Sequence, residues 1–168
     1  MLAKTFGSAV QGIDATTVTV EVNTNSTVNF FLVGLPDNAV KESHFRIVAA
    51  IQNSGMKYPH LGFTVNMAPA DIRKEGSAYD LTIALGILAA SGQVNADEIR
   101  KYIIMGELSL DGGLQPIKGV LPIAIQARKE GFAGFILPKQ NAREAAIVGD
   151  LDVYGDRKST RLNSSHRT

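Results

Sequence analysis

The run Val65-Asn-Met-Ala-Pro-Ala-Asp-Ile-Arg-Lys-Glu-Gly-Ser-Ala-Tyr-Asp-Leu81 gathers many of the side chains in this chain that could do chemistry. Asp71, Arg73, Lys74 and Glu75 form a charged loop after a short apolar strand. On an exposed loop, Arg73 and Lys74 can contact a DNA phosphate or a neighbouring subunit. The alternative is a solvated turn whose charges pair among themselves and contribute little. Ser77 and Asp80 stand where a helix begins, and both residue types can cap it by accepting from its free N–H groups. Glu107 and Asp111 flank a short strand as a candidate carboxylate pair, although Asp111-Gly-Gly113 is turn chemistry. His44 and His60 lack metal-ligand spacing and read as single solvated or hydrogen-bonded histidines.

The apolar pattern outlines the strands and helices on which these groups depend for their placement. Lys4 to Val10 reads as a strand, and Thr16 to Val22 alternates β-branched and polar residues as a half-buried strand does. Asn23 to Ser26 supplies a turn, so Val28 to Val33 is expected to return beside it as a hairpin. Gly34-Leu-Pro-Asp37 breaks the sheet, with Asp37 as N-cap of a helix from Asn38 to about Asn53. A strand at Phe63 to Met67 leads through the charged loop to a helix at Tyr79 to Ser91, apolar on most sides and therefore buried. Tyr102 to Leu108 reads as a strand, Val120 to Lys129 as a helix, and Phe135 to Leu137 as a strand. Gln140 to Val148 reads as a helix and Asp152 to Tyr154 as the start of another strand. Early hairpin pieces followed by alternating β and α predict a mixed α/β or α+β sandwich.

Composition bounds the reading. The 168 residues hold 17 basic and 16 acidic side chains and no cysteine, which fits a reducing cytoplasm and excludes a disulfide framework or thiolate zinc site. No stretch reaches the ~18 apolar residues of a membrane span, and Met1 to Val10 lacks the charged segment followed by a sustained apolar one that marks a signal peptide. A soluble cytoplasmic domain without membrane contact is expected. Asp156 to His166 matches the in-frame translation of a short-read sequencing adapter. Residues 1–155 are therefore taken as one natural domain, truncated at its C-terminal end, and 156–168 as a non-native, disordered tail. Leaving out Arg157, Lys158, Arg161 and Arg167 against Asp156 turns the formal charge from +1 to −2. The basic balance is then an artefact of the tail, and the net charge carries no argument for nucleic-acid binding. Gly155-Asp-Arg-Lys-Ser-Thr160 imitates a phosphate loop but lacks the Gly before Lys.

Together, Val33-Gly-Leu-Pro-Asp-Asn-Ala-Val-Lys-Glu-Ser43 and the Val65–Leu81 run resemble the start of the magnesium-chelatase-like AAA+ ATPases, the ComM/YifB family. The resemblance runs from Met1 to about Gly155. It implies an accessory domain with a ribosomal S5 domain 2-like, Lon-protease-like fold, placed ahead of a motor domain. Lon proteases use a serine whose proton is managed by a lysine amine. Aligned on Lys74-Glu-Gly-Ser-Ala-Tyr-Asp80, the nucleophile position falls on Ala78. Aligned on Gly106-Glu-Leu-Ser-Leu110 and Pro116-Ile-Lys-Gly-Val-Leu121, the lysine position falls on Leu121. The resemblance therefore implies no catalytic dyad. A shifted arrangement would use Ser77 with Lys118 or Lys74 as base, but a one-residue shift re-aims the side chain and misplaces the oxyanion donors. Lys118 reads otherwise as a surface or phosphate-contacting lysine, alongside Arg73 and Lys74.

The family further implies a parent that hydrolyses ATP with Mg²⁺ as a hexameric ring and acts as a DNA helicase in branch migration, recombination and natural transformation. The partners implied are its own AAA+ module, neighbouring subunits and DNA. No cofactor is expected in this fragment, because no Gly-rich nucleotide loop is present; ATP and Mg²⁺ belong to the missing module. A relic peptidase, a stand-alone interaction module and a tetrapyrrole-chelatase subunit are the alternative readings.

Overall fold

The computed structural model describes residues 1–157. Strand β1 (Leu2–Gln11) turns back at Gly12 into β2 (Asp14–Asn25), and the two pair antiparallel along their length. Gly12 sits at φ +63°, a left-handed conformation that a tight turn requires and glycine adopts without a steric penalty. The expected hairpin of Thr16–Val22 with Val28–Val33 does not form. Strand β3 (Phe30–Val33) lies one place further out, parallel to β4 (Gly62–Ala68), and β4 separates it from β2. Gly62 allows this crossing, because a Cβ there would meet Thr27 O at 1.9 Å and Asn25 Oδ1 at 2.0 Å. Asn25 is committed to a local turn, accepting from Thr27 N at 3.1 Å rather than closing a two-strand loop.

The link from β3 to β4 is helical. Asp37 accepts from Val40 N at 2.8 Å and caps α1 (Asn38–Lys41), as its type and position predict. The single helix expected up to Asn53 is broken at Glu42, and α2 (Ser43–Asn53) comes after the break. Helix α3 (Asp80–Ala90) is buried on every side. It lies on β1 and β2 and is covered in turn by α2, so its apolar residues never meet water. Gly86 permits the close approach to β2, where a Cβ would come within 2.6 Å of Val22 Cγ2. Each fully buried Leu or Ile here contributes roughly 1.5–3 kcal/mol.

A short α4 (Ala96–Ile99), capped by Asn95 and not anticipated from sequence, leads into β5 (Tyr102–Ile104). The expected strand to Leu108 ends earlier. Gly106 N–H donates to Ala78 O at 2.8 Å and Gly106 O accepts from Leu81 N at 3.0 Å, which draws the chain out of the sheet. The chain then forms a separate hairpin of β6 (Glu107–Leu108) and β7 (Leu114–Gln115). Helix α5 (Val120–Lys129) packs against β1, β2 and β8 (Gly134–Pro138). A 3₁₀ turn (Lys139–Asn141), α6 (Ala142–Ala146) and β9 (Asp152–Asp156) complete the order.

The main sheet has seven strands in the order β3-β4-β2-β1-β5-β8-β9, mostly parallel, with antiparallel pairs only on either side of β2. This is the mixed α/β architecture expected from the sequence. Asp156 ends β9 and Leu114 N–H donates to Arg157 O at 2.7 Å, so the sheet and its hairpin use two residues assigned by sequence to the tail. Residues 158–168, the rest of that tail and of its expected disorder, lie outside the described residues. Among the described residues no helix is long and apolar enough to cross a membrane.

Candidate functional site

The Val33–Ser43 and Val65–Leu81 runs are stitched to each other. Lys74 N–H donates to Leu35 O at 3.0 Å, and Asp37 N–H donates to Lys74 O at 2.9 Å. Asp37 does double duty, since its Oδ2 accepts from Gly76 N at 3.0 Å while its Oδ1 caps α1. Lys74 turns its ammonium inward, fully buried, onto Gly34 O at 2.7 Å and onto Pro69 O. Burial lowers its pKa from the ordinary lysine value, and Asp71 partly restores it. This corrects the expectation of Lys74 as a DNA, subunit or base-like contact, because its amine is occupied by carbonyls and closed off from solvent. Arg73 and Glu75 flank it, point outward and pair with each other at 3.2 Å, both exposed. Only this one pair has the form of the self-paired solvated turn, and Lys74 departs from it.

The loop then enters a cleft of about 440 Å³ whose lining includes Ser77, Ala78, Tyr79, Glu75, Glu107 and Lys118. Ser8, Val10, Met105, Ile117 and Ile123 complete much of its wall. The fold thus brings Ser77 and Lys118 to one place from two distant parts of the chain. Leu121, at the Lon lysine position, is exposed on α5 and outside this lining. Ala78, at the nucleophile position, has no hydroxyl, and its carbonyl is taken by Gly106 N–H. Tyr79 is buried and its hydroxyl is pushed up strongly, first by desolvation and then by Asp37 and Glu75. It is therefore a neutral donor, not a phenolate base. Lys118 is held to the cleft by Asn141, which accepts from Ile117 N at 2.9 Å and donates to Ile117 O at 3.0 Å. Nothing local in the sequence marks Asn141, since it reaches Ile117 from the far end of α5 and β8.

Ser77 and Asp80 do not cap α3 as expected. The residue before the helix is Tyr79, without a side-chain cap. Asp80 is instead buried and forms a bidentate pair with Arg46, at 2.6 Å to Nε and 2.9 Å to Nη2. It also accepts from Leu108 N at 3.1 Å, while Arg46 donates to Ala39 O at 2.8 Å. Burial raises the Asp80 carboxyl, and Arg46 and the Leu108 N–H pull against that rise. The Asp80 hydrogen bond in turn keeps Arg46 charged. Glu107 and Asp111 do not form a carboxylate pair: Glu107 lines the cleft, while Asp111 accepts from Gly113 N at 2.8 Å in the hairpin turn. His44 stacks on Phe30 with ring centroids 4.2 Å apart, and His60 lies exposed. No group of carboxylates and histidines among the described residues could hold a metal.

Residues 18–141 match the model of the family described as the ChlI subunit of Mg-chelatase. The chain is 44% identical over 154 residues to competence protein ComM of Haemophilus influenzae, which covers 91% of this chain and 30% of that protein. It is 41% identical over 141 residues to YifB of Escherichia coli, covering 83% of this chain and 28% of that protein. Lon protease 2 of Bacillus subtilis is 29% identical over 112 residues, covering 67% of this chain and 19% of the protease. The chain spans about a third of the length of the curated ComM and YifB relatives it matches. The mixed sheet and the Lon likeness fit the ribosomal S5 domain 2-like, Lon-like fold expected from the two sequence runs. With a family match over most of its length and relatives this similar, the chain belongs to the Mg-chelatase ChlI-like family that includes ComM and YifB.

Proposed function

We propose that this chain is a non-catalytic, Lon-like accessory domain of a magnesium-chelatase-like AAA+ ATPase. The observation that carries this reading is the identity of the residues at the positions aligned with the Lon serine and lysine, Ala78 and Leu121, in a chain otherwise similar in sequence to a Lon protease. Without a hydroxyl at Ala78 there is no nucleophile where backbone donors could support an oxyanion. The full-length protein, on this reading, is a cytoplasmic ATP-dependent DNA helicase that drives branch migration in recombination and natural transformation. The name competence protein for the Haemophilus relative supports the link to natural transformation alone. ATP and Mg²⁺ belong to the remaining two thirds, which would assemble as a hexameric ring on DNA. Arg73 and Lys118 are the exposed cations offered to DNA or to a neighbouring subunit.

A second reading has one observation in its favour, because Ser77 and Lys118 line the same cleft. In it, Ser77 is a shifted nucleophile and Lys118 its base. Incubation of the chain with a serine-reactive phosphonate separates the two. The accessory-domain reading expects no adduct, whereas an adduct on Ser77 that disappears in Ser77→Ala establishes the peptidase. For the full-length protein, ATP-dependent unwinding of a branched DNA is expected. Arg73→Ala or Lys118→Ala should weaken DNA binding and reduce its salt slope by about 1 if that residue contacts phosphate. An unchanged slope in both variants would remove these loops from the DNA path.

A further inference from the structure

The cleft at the start of α3 holds polar groups that the fold leaves without partners. Gly76 N–H is taken by Asp37 Oδ2, but the N–H groups of Ser77, Ala78 and Tyr79 that follow have no acceptor among the described residues. All three residues line the cleft. They lead into the eleven-residue α3, so the positive end of its dipole lies at their N–H groups. Tyr79 adds a donor of a different kind. It is only 3% exposed, yet its hydroxyl has no hydrogen-bond partner among the described residues. The one unpaired side-chain atom there that is wholly enclosed is Ser43 Oγ, so the Tyr79 hydroxyl opens to the cleft that its residue lines. Desolvation keeps that hydroxyl protonated, and it can only gain by donating.

Two charged side chains in the same lining narrow the ligand. Exposed Lys118 and half-buried Glu107 have neither a hydrogen bond nor an ion pair from their side chains among the described residues, and they do not pair with each other. Glu75, the other acid, is taken by Arg73. Val10, Met105, Ile117 and Ile123 make much of the remaining wall apolar, and the volume of about 440 Å³ is that of a small-ligand pocket. A phosphate would use the donors, but it would set its charge against Glu107 and gain nothing from the apolar wall. A carboxylate on a carbon that also carries an N–H and an apolar side chain uses all of these features. We infer that the cleft binds an apolar residue through its free α-carboxylate. The carboxylate accepts from the N–H groups of Ser77, Ala78 and Tyr79, from the Tyr79 hydroxyl and from Lys118. The α-nitrogen donates to Glu107, and the side chain lies against Met105, Ile117 and Ile123. Capture of a C-terminal carboxylate by backbone N–H groups is a general recognition mode. The residue is either the last of a protein chain or a free amino acid. This inference rests on the non-catalytic reading of the cleft and gives Lys118 a carboxylate rather than a phosphate to hold.

Calorimetric titration of the 168-residue chain with acetyl-alanyl-leucine, its C-terminal amide and free leucine tests it without any variant. The acid is expected to bind, and the amide, which lacks the charge, at least about tenfold more weakly. Lys118→Met should weaken the acid by about tenfold. Tyr79→Phe, which keeps the ring and removes the donor, should weaken it by about threefold or more. Lys57→Met, an exposed cation outside the cleft, should leave it unchanged. Free leucine that binds as tightly as the acetylated acid supports the site and makes a free amino acid its source. Binding of the acetylated acid alone supports it with a protein C-terminus as the source. Equal affinity for acid and amide overturns the inference, as does no binding of either carboxylate or a Lys118→Met chain that binds the acid undiminished. Failure of the non-catalytic reading looks different: a phosphonate adduct on Ser77 while the acid still binds would overturn that reading and leave the carboxylate site standing.

Discussion

Arg46 is held against Asp80 by two charge-assisted hydrogen bonds at a site where the carboxylate has no access to water. Truncating one partner of such a pair strands the other charge, which costs far more than the intact pair contributes. Arg46→Ala should therefore destabilise the fold by about 3–5 kcal/mol in urea unfolding. Asp80→Asn, which keeps an acceptor for Leu108 N–H and leaves the more exposed cation unpaired, should cost less. An Arg46→Ala loss below about 1 kcal/mol would mean that the carboxylate is solvated and the pair is ornamental. The sequence gives little warning of this. Asp80 looks like a helix cap because it is an acidic residue at a helix start, and only tertiary packing reveals that the carboxylate points inward. Lys74 misleads similarly. In Asp71-Ile-Arg-Lys-Glu75 every charge looks solvated, and the inward turn of one comes from the bridge to Leu35 and Pro36.

Elements with unambiguous periodicity are legible in the sequence. Helix α5 is observed over the Val120–Lys129 span expected, and β4 differs from expectation by a residue at each end. What fails is set by partners outside each segment: the extra length of the Tyr102 strand is lost to Gly106, and β2 finds β4 rather than β3 beside it. Helix α3 shows how packing overrides propensity. Glycine inside a helix costs about 1 kcal/mol relative to alanine, so Gly86→Ala should stabilise an isolated helix. In the fold, the added Cβ would come within 2.6 Å of Val22 Cγ2, and valine is stiff about χ1. Overpacking of this kind typically costs about 1–3 kcal/mol, so a net loss of about 1–2 kcal/mol is expected in chemical unfolding. The double variant Gly86→Ala with Val22→Ala should show a favourable coupling, because the clash is gone. Strict additivity of the two losses would locate the effect elsewhere.

At the scale of the molecule, the mixed sheet class could be read from the alternation of elements, but the strand order could not. Local pattern places β3 after β2 without saying that a helical crossover puts β4 between them. That crossover also creates the aromatic corner in which His44 stacks on Phe30, with Phe45 and Tyr58 tilted around it. Burial there lowers the His44 pKa below its ordinary 6.5. In the unfolded chain His44 takes up its proton near that ordinary value, while the folded protein resists until lower pH. Across the interval the unfolded state binds more protons, so stability must rise with pH. The contribution is complete above about pH 6.5 and is progressively lost on acidification toward the lowered folded value. Urea unfolding at a series of pH values between about 8 and 5, above the main carboxylate range, should show this slope. His44→Phe keeps the stacked ring without the proton and should flatten it, whereas His60→Gln, at an exposed position, should not. If His44→Phe retains the full slope, the acid sensitivity of this fold arises outside the corner that the β3–β4 crossover builds.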